Sequence, residues 1–191
     1  MTNLEKSILR QIEKKGIVLI AIDGPSGSGK STFAKRLAEK YDANVFHMDD
    51  FFLRPEQRTK ERYEEIGGNI DYERFHEEVL MNINRGFPFH YRPYSCSLGI
   101  LVDKKEVTFK NVNIIEGVYS MHPMLLSYYD IKVFLTAPKE VCIERIRKRS
   151  GDVLLKRFVN EWIPMEQNYF SNFKIKENCD FIINGVTLEE S

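Results

Sequence analysis

The sequence predicts an α/β domain in which a five-stranded parallel sheet is flanked by helices. Two observations carry this. Five short apolar runs, at residues 17–22, 45–48, 112–115, 131–135 and 181–183, alternate with stretches of helical periodicity. Each run is too short for a helix and most are rich in β-branched residues, the pattern of strands in a βαβ series. The first run is also followed at once by a glycine-rich turn, Gly24-Pro25-Ser26-Gly27-Ser28-Gly29-Lys30-Ser31, which opens directly into a helical segment.

Before the first strand, Leu4, Ile8, Leu9 and Ile12 recur at helical spacing and predict a short amphipathic helix. After the glycine turn, Phe33, Ala34, Leu37 and Ala38 mark one face of a helix over residues 31–40. Residues 54–68 are charged and contain Pro55, Gly67 and Gly68, which predicts a mobile surface loop. A helix is expected from residue 71 to about 84, with Phe75, Val79 and Ile83 at i, i+4 and i+8. Residues 87–109 mix aromatic, polar and apolar positions around Gly99 and Asp103-Lys104 and read as an irregular β-ribbon. A basic helix starts near residue 138, and a long helical stretch covers about 152–170, where Pro164 is expected to bend or break it. The 191 residues suit one domain, with no internal repeat.

Composition narrows the partners. Lys plus Arg and Asp plus Glu both number 28, a formal net charge of zero, so no whole-domain attraction to nucleic acid or acidic membrane is expected. No apolar stretch reaches the ~20 residues needed to span a bilayer, and charged residues interrupt the N-terminus where a signal peptide would be apolar. Cys96, Cys142 and Cys179 form no C-x-x-C pair. A reducing cytoplasmic setting is the simplest expectation, with buried structural thiols as the plain reading of all three. A homo-oligomer is compatible with the sequence.

The string G-x-x-x-x-G-K-[ST] between strand and helix is a P-loop, or Walker A motif. Its glycines let successive backbone N–H groups of Gly24 to Ser31 and Thr32 turn inward around phosphate oxygens, with the helix N-terminus adding positive potential. Lys30 is expected on the β- and γ-phosphates and the Ser31 hydroxyl on Mg²⁺. Asp49 ends the second strand on the same rim, where a carboxylate can accept the proton of an attacking hydroxyl or cap the next turn. Asp50 is expected to face solvent or cap. Glu116 follows Ile114-Ile115 and is a candidate second metal-side carboxylate, or a cap before Gly117. Arg145, Arg147, Lys148, Arg149, Lys156 and Arg157 form a basic cluster with Gly151 as a hinge. Some of these arginines suit a lid over ATP, at about residues 145–160. As a nucleic-acid patch the cluster lacks interleaved aromatics.

Taken in order, Gly24–Ser31, Asp49-Asp50-Phe51-Phe52, Asn69-Ile70-Asp71, Tyr91, Ile115-Glu116-Gly117 and the arginine-rich segment resemble the uridine kinase family of P-loop nucleoside kinases, from about residue 17 to 184. The resemblance implies Asp49 as base for a ribose 5′-hydroxyl, Asp71 as a grip on the ribose 2′- and 3′-hydroxyls, Glu116 beside the metal, and Arg145 and Arg149 on nucleotide phosphates. Asp71 is equally placed to cap a helix. The family reads its pyrimidine with a Tyr and a His five residues later; Tyr91 matches the first, but Cys96 stands at the second, and a thiol is a poor hydrogen-bond partner for a carbonyl. The Asp-Asp-Phe-Phe string is also similar to nicotinamide riboside kinases.

The expected activity is transfer of phosphoryl from Mg·ATP to a small-molecule hydroxyl, a nucleoside 5′-hydroxyl first. Another small acceptor, such as nicotinamide riboside, pantothenate or a sugar, is the alternative. A nucleotide-dependent switch and a non-catalytic binding module are the readings from other classes.

Overall fold

A computed structural model of the chain describes residues 1–190. The apolar runs form the strands β1 (Val18–Asp23), β2 (Asn44–His47), β3 (Val112–Glu116), β4 (Ile131–Thr136) and β5 (Phe181–Asn184). They pair in parallel in the order β2-β3-β1-β4-β5. All of β1 and β3 is buried, which is why both read as continuous apolar runs without alternation.

The two faces of the sheet pack against different material. Val18, Ile20 and Ile22 point to one face with Ile114, Val133 and Leu135, and α1 (Asn3–Lys15) and α2 (Lys30–Tyr41) cover it. Leu19 and Ala21 point to the other, where they meet Phe46, Met48, Ile115 and the aromatic side chains of the 51–129 segment. In α1, Thr2 and Glu5 form a capping box, and Leu4 and Ile8 are buried. Leu9, expected on the same face, is 40% exposed because its i+5 offset from Leu4 takes it off the stripe.

Two loop expectations change. Residues 54–68 contain a 3₁₀ turn, Pro55–Gln57, and a short helix, Lys60–Glu64, rather than irregular chain alone. Arg62 ties the segment down by donating to Gly68 O and Ile70 O at 2.8 Å and to the Glu73 carboxylate. The helix after Asp71, α3 (residues 72–83), includes a π-helical turn at His76–Leu80. Pro164 does not break its helix. The preceding turn, Phe158–Trp162, is π-helical, and Pro164 sits in the first turn of α5 (Ile163–Asn172), where its missing N–H costs little. The break falls at Gly151, inside α4 (Lys139–Arg157), with φ 74° and ψ 170°.

The 87–109 segment folds as two antiparallel pairs, Phe89–Tyr91 with Lys105–Val107 and Tyr94–Ser95 with Ile100–Leu101. Among the described residues no helix is long and apolar enough to cross a membrane.

Candidate active site

The P-loop turns away from β1 at Asp23, a fully buried carboxylate. It accepts from the backbone N–H of Gly24 (2.7 Å) and of Met121 (3.1 Å) and from the Tyr169 hydroxyl (2.9 Å). Burial pushes its pKa up to about 6, against the pull of those donors and of Lys30. Asp23 thereby fixes the start of the loop. Glycine is required next because a Cβ at Gly24, where φ is 140°, would lie 2.4 Å from Leu135 O. At Gly27 it would lie 2.6 Å from Cys142 O. Gly29 caps α2 in the left-handed region without a side-chain bond to the helix N-terminus. The first-turn N–H groups therefore have no capping side chain competing for them.

Lys30 arches back over the loop and donates to Gly24 O (2.7 Å) and Pro25 O (3.0 Å). Ser31 Oγ donates to Glu116 Oε1 at 3.1 Å. On the other side of Glu116 stands His47, whose Nδ1 is 2.5 Å from the same oxygen. The sheet register explains that contact: His47 of β2 lies directly beside Glu116 of β3, at strand ends on one rim. Burial alone would raise the Glu116 pKa, but the His47 bond, Lys30 and Ser31 together hold it below the ordinary value. His47 is raised in turn, chiefly by its bond to Glu116.

Asp49 follows β2 in the 3₁₀ turn Met48–Phe51 and lines the same cavity, about 820 Å³ in volume, as Lys30, Ser31, Thr32 and Glu116. Surrounding protein atoms raise its pKa by displacing water, Lys30 and Arg149 pull it down, and Glu116 pushes it up. Arg145 and Arg149 line the cavity as well. Arg145 Nη1 donates to Gly27 O and Gly185 O, both at 3.1 Å, and so clasps the P-loop to the end of β5.

Other expected residues stand elsewhere. Asp71 is 1% exposed and caps α3 by accepting from Arg74 N (3.1 Å) while pairing with Arg74 Nε (3.3 Å). Of the Asn69-Ile70-Asp71 string, Asn69 is the member that lines the cavity. Tyr91 is buried in the aromatic core, and its hydroxyl donates to Asp50 Oδ2 at 3.0 Å rather than into the cavity. Asp50, expected to face solvent or to cap, also accepts from Lys105 Nζ at 3.0 Å. Of the substrate-side residues, Cys96 does line the cavity; it is exposed, whereas Cys142 is buried.

Three side chains escaped the sequence. Asp23 ends β1 as one acid after an apolar run, His47 was absorbed into β2, and Glu166 lies 140 positions from its partner. Glu166 is 4% exposed and accepts from Ser26 N (3.0 Å) and Ser26 Oγ (2.5 Å). His47 ends its strand beside the end of the Glu116 strand, which the sequence does not mark, and nothing local marks the third.

The residues fit Mg·ATP. Glycine positions admit no side chain, the Ser28 hydroxyl is buried without a protein partner, and Lys30, Arg145 and Arg149 converge without a carboxylate salt bridge. The described residues hold no cluster of three or more His, Cys, Asp or Glu able to bind a metal. The Ser31 hydroxyl and the Glu116 carboxylate are the oxygen donors present for Mg²⁺, which takes one or two protein ligands and completes its shell with phosphate and water.

Comparison with known proteins agrees with this geometry. The profile of the family described as "AAA domain" matches residues 20–161. A uridine kinase of Ureaplasma parvum serovar 3 is 26% identical over 187 residues, covering 89% of this chain and 90% of that protein. A solved structure described as a possible uridine kinase from Bacillus stearothermophilus superposes with a TM-score of 0.69 at 20% identity, covering 95% and 99% of the two chains. Phosphoribulokinase from Rhodobacter spheroides superposes at 0.57 and 13% identity, covering 88% and 70%. These two superpositions speak to the fold alone. With its profile matched across residues 20–161, the chain belongs to the AAA-domain family.

Proposed function

We propose that the chain is a kinase that transfers the γ-phosphoryl of ATP to a hydroxyl of a small molecule, the 5′-hydroxyl of a nucleoside being the acceptor that its uridine kinase relatives suggest. The observation that carries the reading is the convergence of Lys30, Ser31, Glu116, Arg149 and Asp49 on one cavity. A nucleotide switch needs the first three, but it has no use for an acid at Asp49 facing them.

Lys30, Arg145 and the P-loop amides hold the triphosphate and offset the charge that develops on the transferring group. Ser31 and Glu116 would hold Mg²⁺, which when bound would supply charge neutralisation at the phosphates. Asp49 orients the acceptor hydroxyl and takes its proton as the new P–O bond forms. The segment beyond Gly151, with Phe158 and Trp162 on the cavity wall, closes over the site and excludes water.

Replacing Asp49 with Asn tests this. ATP affinity is expected within about twofold of wild type, and transfer is expected to fall by about 10²–10⁴-fold. Turnover is followed as acceptor-dependent ADP release across ribonucleosides, nicotinamide riboside, pantothenate and sugar alcohols. Wild-type rates in D49N would remove Asp49 from the chemistry, and ATP turnover that no acceptor accelerates would remove the kinase.

A further inference from the structure

The acceptor side of the cavity holds a cation that the donor chemistry does not use. Arg58 follows the turn Pro55–Gln57 and lines the cavity. Its Nε and Nη2 both donate to Leu53 O at 3.1 Å, and Nη2 donates also to the Tyr94 hydroxyl at 3.1 Å. Three bonds through two of its nitrogens fix the plane of the guanidinium and leave Nη1 without a protein partner among the described residues.

Its neighbours in sequence are handled differently. Arg54 pairs with Glu56, Arg62 with Glu73, and Arg74 with Asp71. Among the described residues no carboxylate pairs with Arg58. Arg58, Cys96 and Asp49 all line this cavity. A cation, a small thiol and the candidate base thus share it. Arg145, by contrast, is bonded to the P-loop at Gly27 O.

A planar guanidinium held in place with an unused edge is suited to a carboxylate or phosphate, which it binds more strongly and more directionally than a neutral group. We infer that the acceptor carries an anionic oxygen group, a carboxylate or a phosphate ester, which Arg58 binds while the acceptor hydroxyl faces Asp49. This rests on the phosphoryl-transfer half of the kinase reading and departs from its nucleoside half: anionic alcohols become the substrate class.

Matched acceptors test it: glycerol against glycerate and glycerol phosphate, ribose against ribonate and ribose phosphate, with uridine as the neutral nucleoside. Affinity is read by calorimetric titration of the whole chain with Mg²⁺ and a non-hydrolysable ATP analogue, and transfer by ADP release with ATP. At least one anionic member is expected to bind tenfold or more tighter than its neutral partner. The carboxylate and phosphate arms show which anion is read. Arg58→Gln is expected to collapse that ratio toward one, and Arg58→Lys to restore part of it, with thermal melting confirming that each variant is folded. Neutral partners that bind as well as the anions, anions that fail to bind, or a ratio unmoved in R58Q would each overturn the inference. Arg58-dependent binding of an anion without any transfer would instead sink the kinase and leave the anion site standing. Uridine transfer with no anionic preference would do the reverse.

Discussion

The donor rim and the acceptor wall of the cavity are built by different means. The rim is made of consecutive strand ends: Asp23 and the P-loop after β1, His47 and Asp49 at the end of β2, Glu116 at the end of β3. Sheet register sets their spacing, with both Ile22 and His47 paired to Glu116. The wall is assembled from short pieces that no common sheet aligns, and arginines hold it. Arg74 donates to Asp50 O and Arg92 O, Arg62 to Gly68 O and Ile70 O, Arg58 to Leu53 O. A rim of this kind cannot move one residue without moving a strand. A wall tied by side chains can exchange Tyr, His or Cys at a contact position and keep its shape. On the proposed reading, the phosphate end is positioned by the backbone and the acceptor end by side chains.

The largest expected effects separate the two regions. Lys30→Ala removes an ammonium whose protein bonds are to two loop carbonyls, Gly24 O and Pro25 O. Transfer is expected to fall about 10³-fold, the scale of losing one group aimed at developing charge, with the melting temperature nearly unchanged. A melting loss as large as the rate loss would show that Lys30 holds the loop together. Asp71→Ala should behave in the opposite way. It strips one of two carboxylates from Arg74, whose side chain is 8% exposed, removes the cap of α3 and leaves Glu78 at 3.4 Å as the remaining counter-ion. A loss of about 1–3 kcal/mol in urea unfolding is expected. Normal stability with a weakened acceptor KM would move Asp71 from the wall's framework into contact with substrate.

A pH profile tests the rim more finely. Surrounding protein raises the Asp49 pKa by displacing water although the residue is exposed to the cavity, and Arg149 is one of the cations pulling it back down. The carboxylate must be ionised to take a proton, so kcat/KM falls as the pH drops through the Asp49 pKa. Arg149→Gln removes a stabilising cation, raises that pKa further and moves the acid limb to higher pH. Glu116→Gln removes a repelling anion and should move the limb to lower pH, together with a higher Mg²⁺ requirement. Limbs that stay together in both variants would mean that another group governs the acid side.

The same contrast sets what could be read from the sequence. β1 and β3 were visible because burial on both faces writes an unbroken apolar run, and the P-loop because its conformation demands glycine at fixed spacing. Asp49 and Glu116 were visible as acids at the ends of such runs. Asp71 and Tyr91 were recognised as positions, but their surroundings depend on Arg74 and Asp50, which no periodicity assigns to them. Glu166 was invisible for a similar reason: its bond to Ser26 arises when α5 packs across the loop 140 residues earlier. Pro164 leaves the helix unbroken but is preceded by a π-helical turn, a feature that a 3.6-residue period cannot express.

The smallest expected effect tests the wall at the residue where family resemblance and structure disagree. A tyrosine that contacts the acceptor would lose affinity when its hydroxyl is removed. Here the Tyr91 ring stacks on Phe51 at a centroid distance of 5.5 Å, and burial raises the hydroxyl's pKa while it donates to Asp50. In Tyr91→Phe the ring contacts survive, and Asp50 keeps its bond from Lys105 Nζ. About 1 kcal/mol of stability is expected to be lost, the net worth of one hydrogen bond, with the acceptor KM changed by less than about threefold. Both are read from urea unfolding and steady-state rates on the same preparation. A tenfold rise in KM at unchanged stability would mean that the 89–107 pair turns over when the acceptor binds and brings the hydroxyl into the cavity. The wall would then be a moving part, and the contrast with the rim would be one of mobility as well as construction.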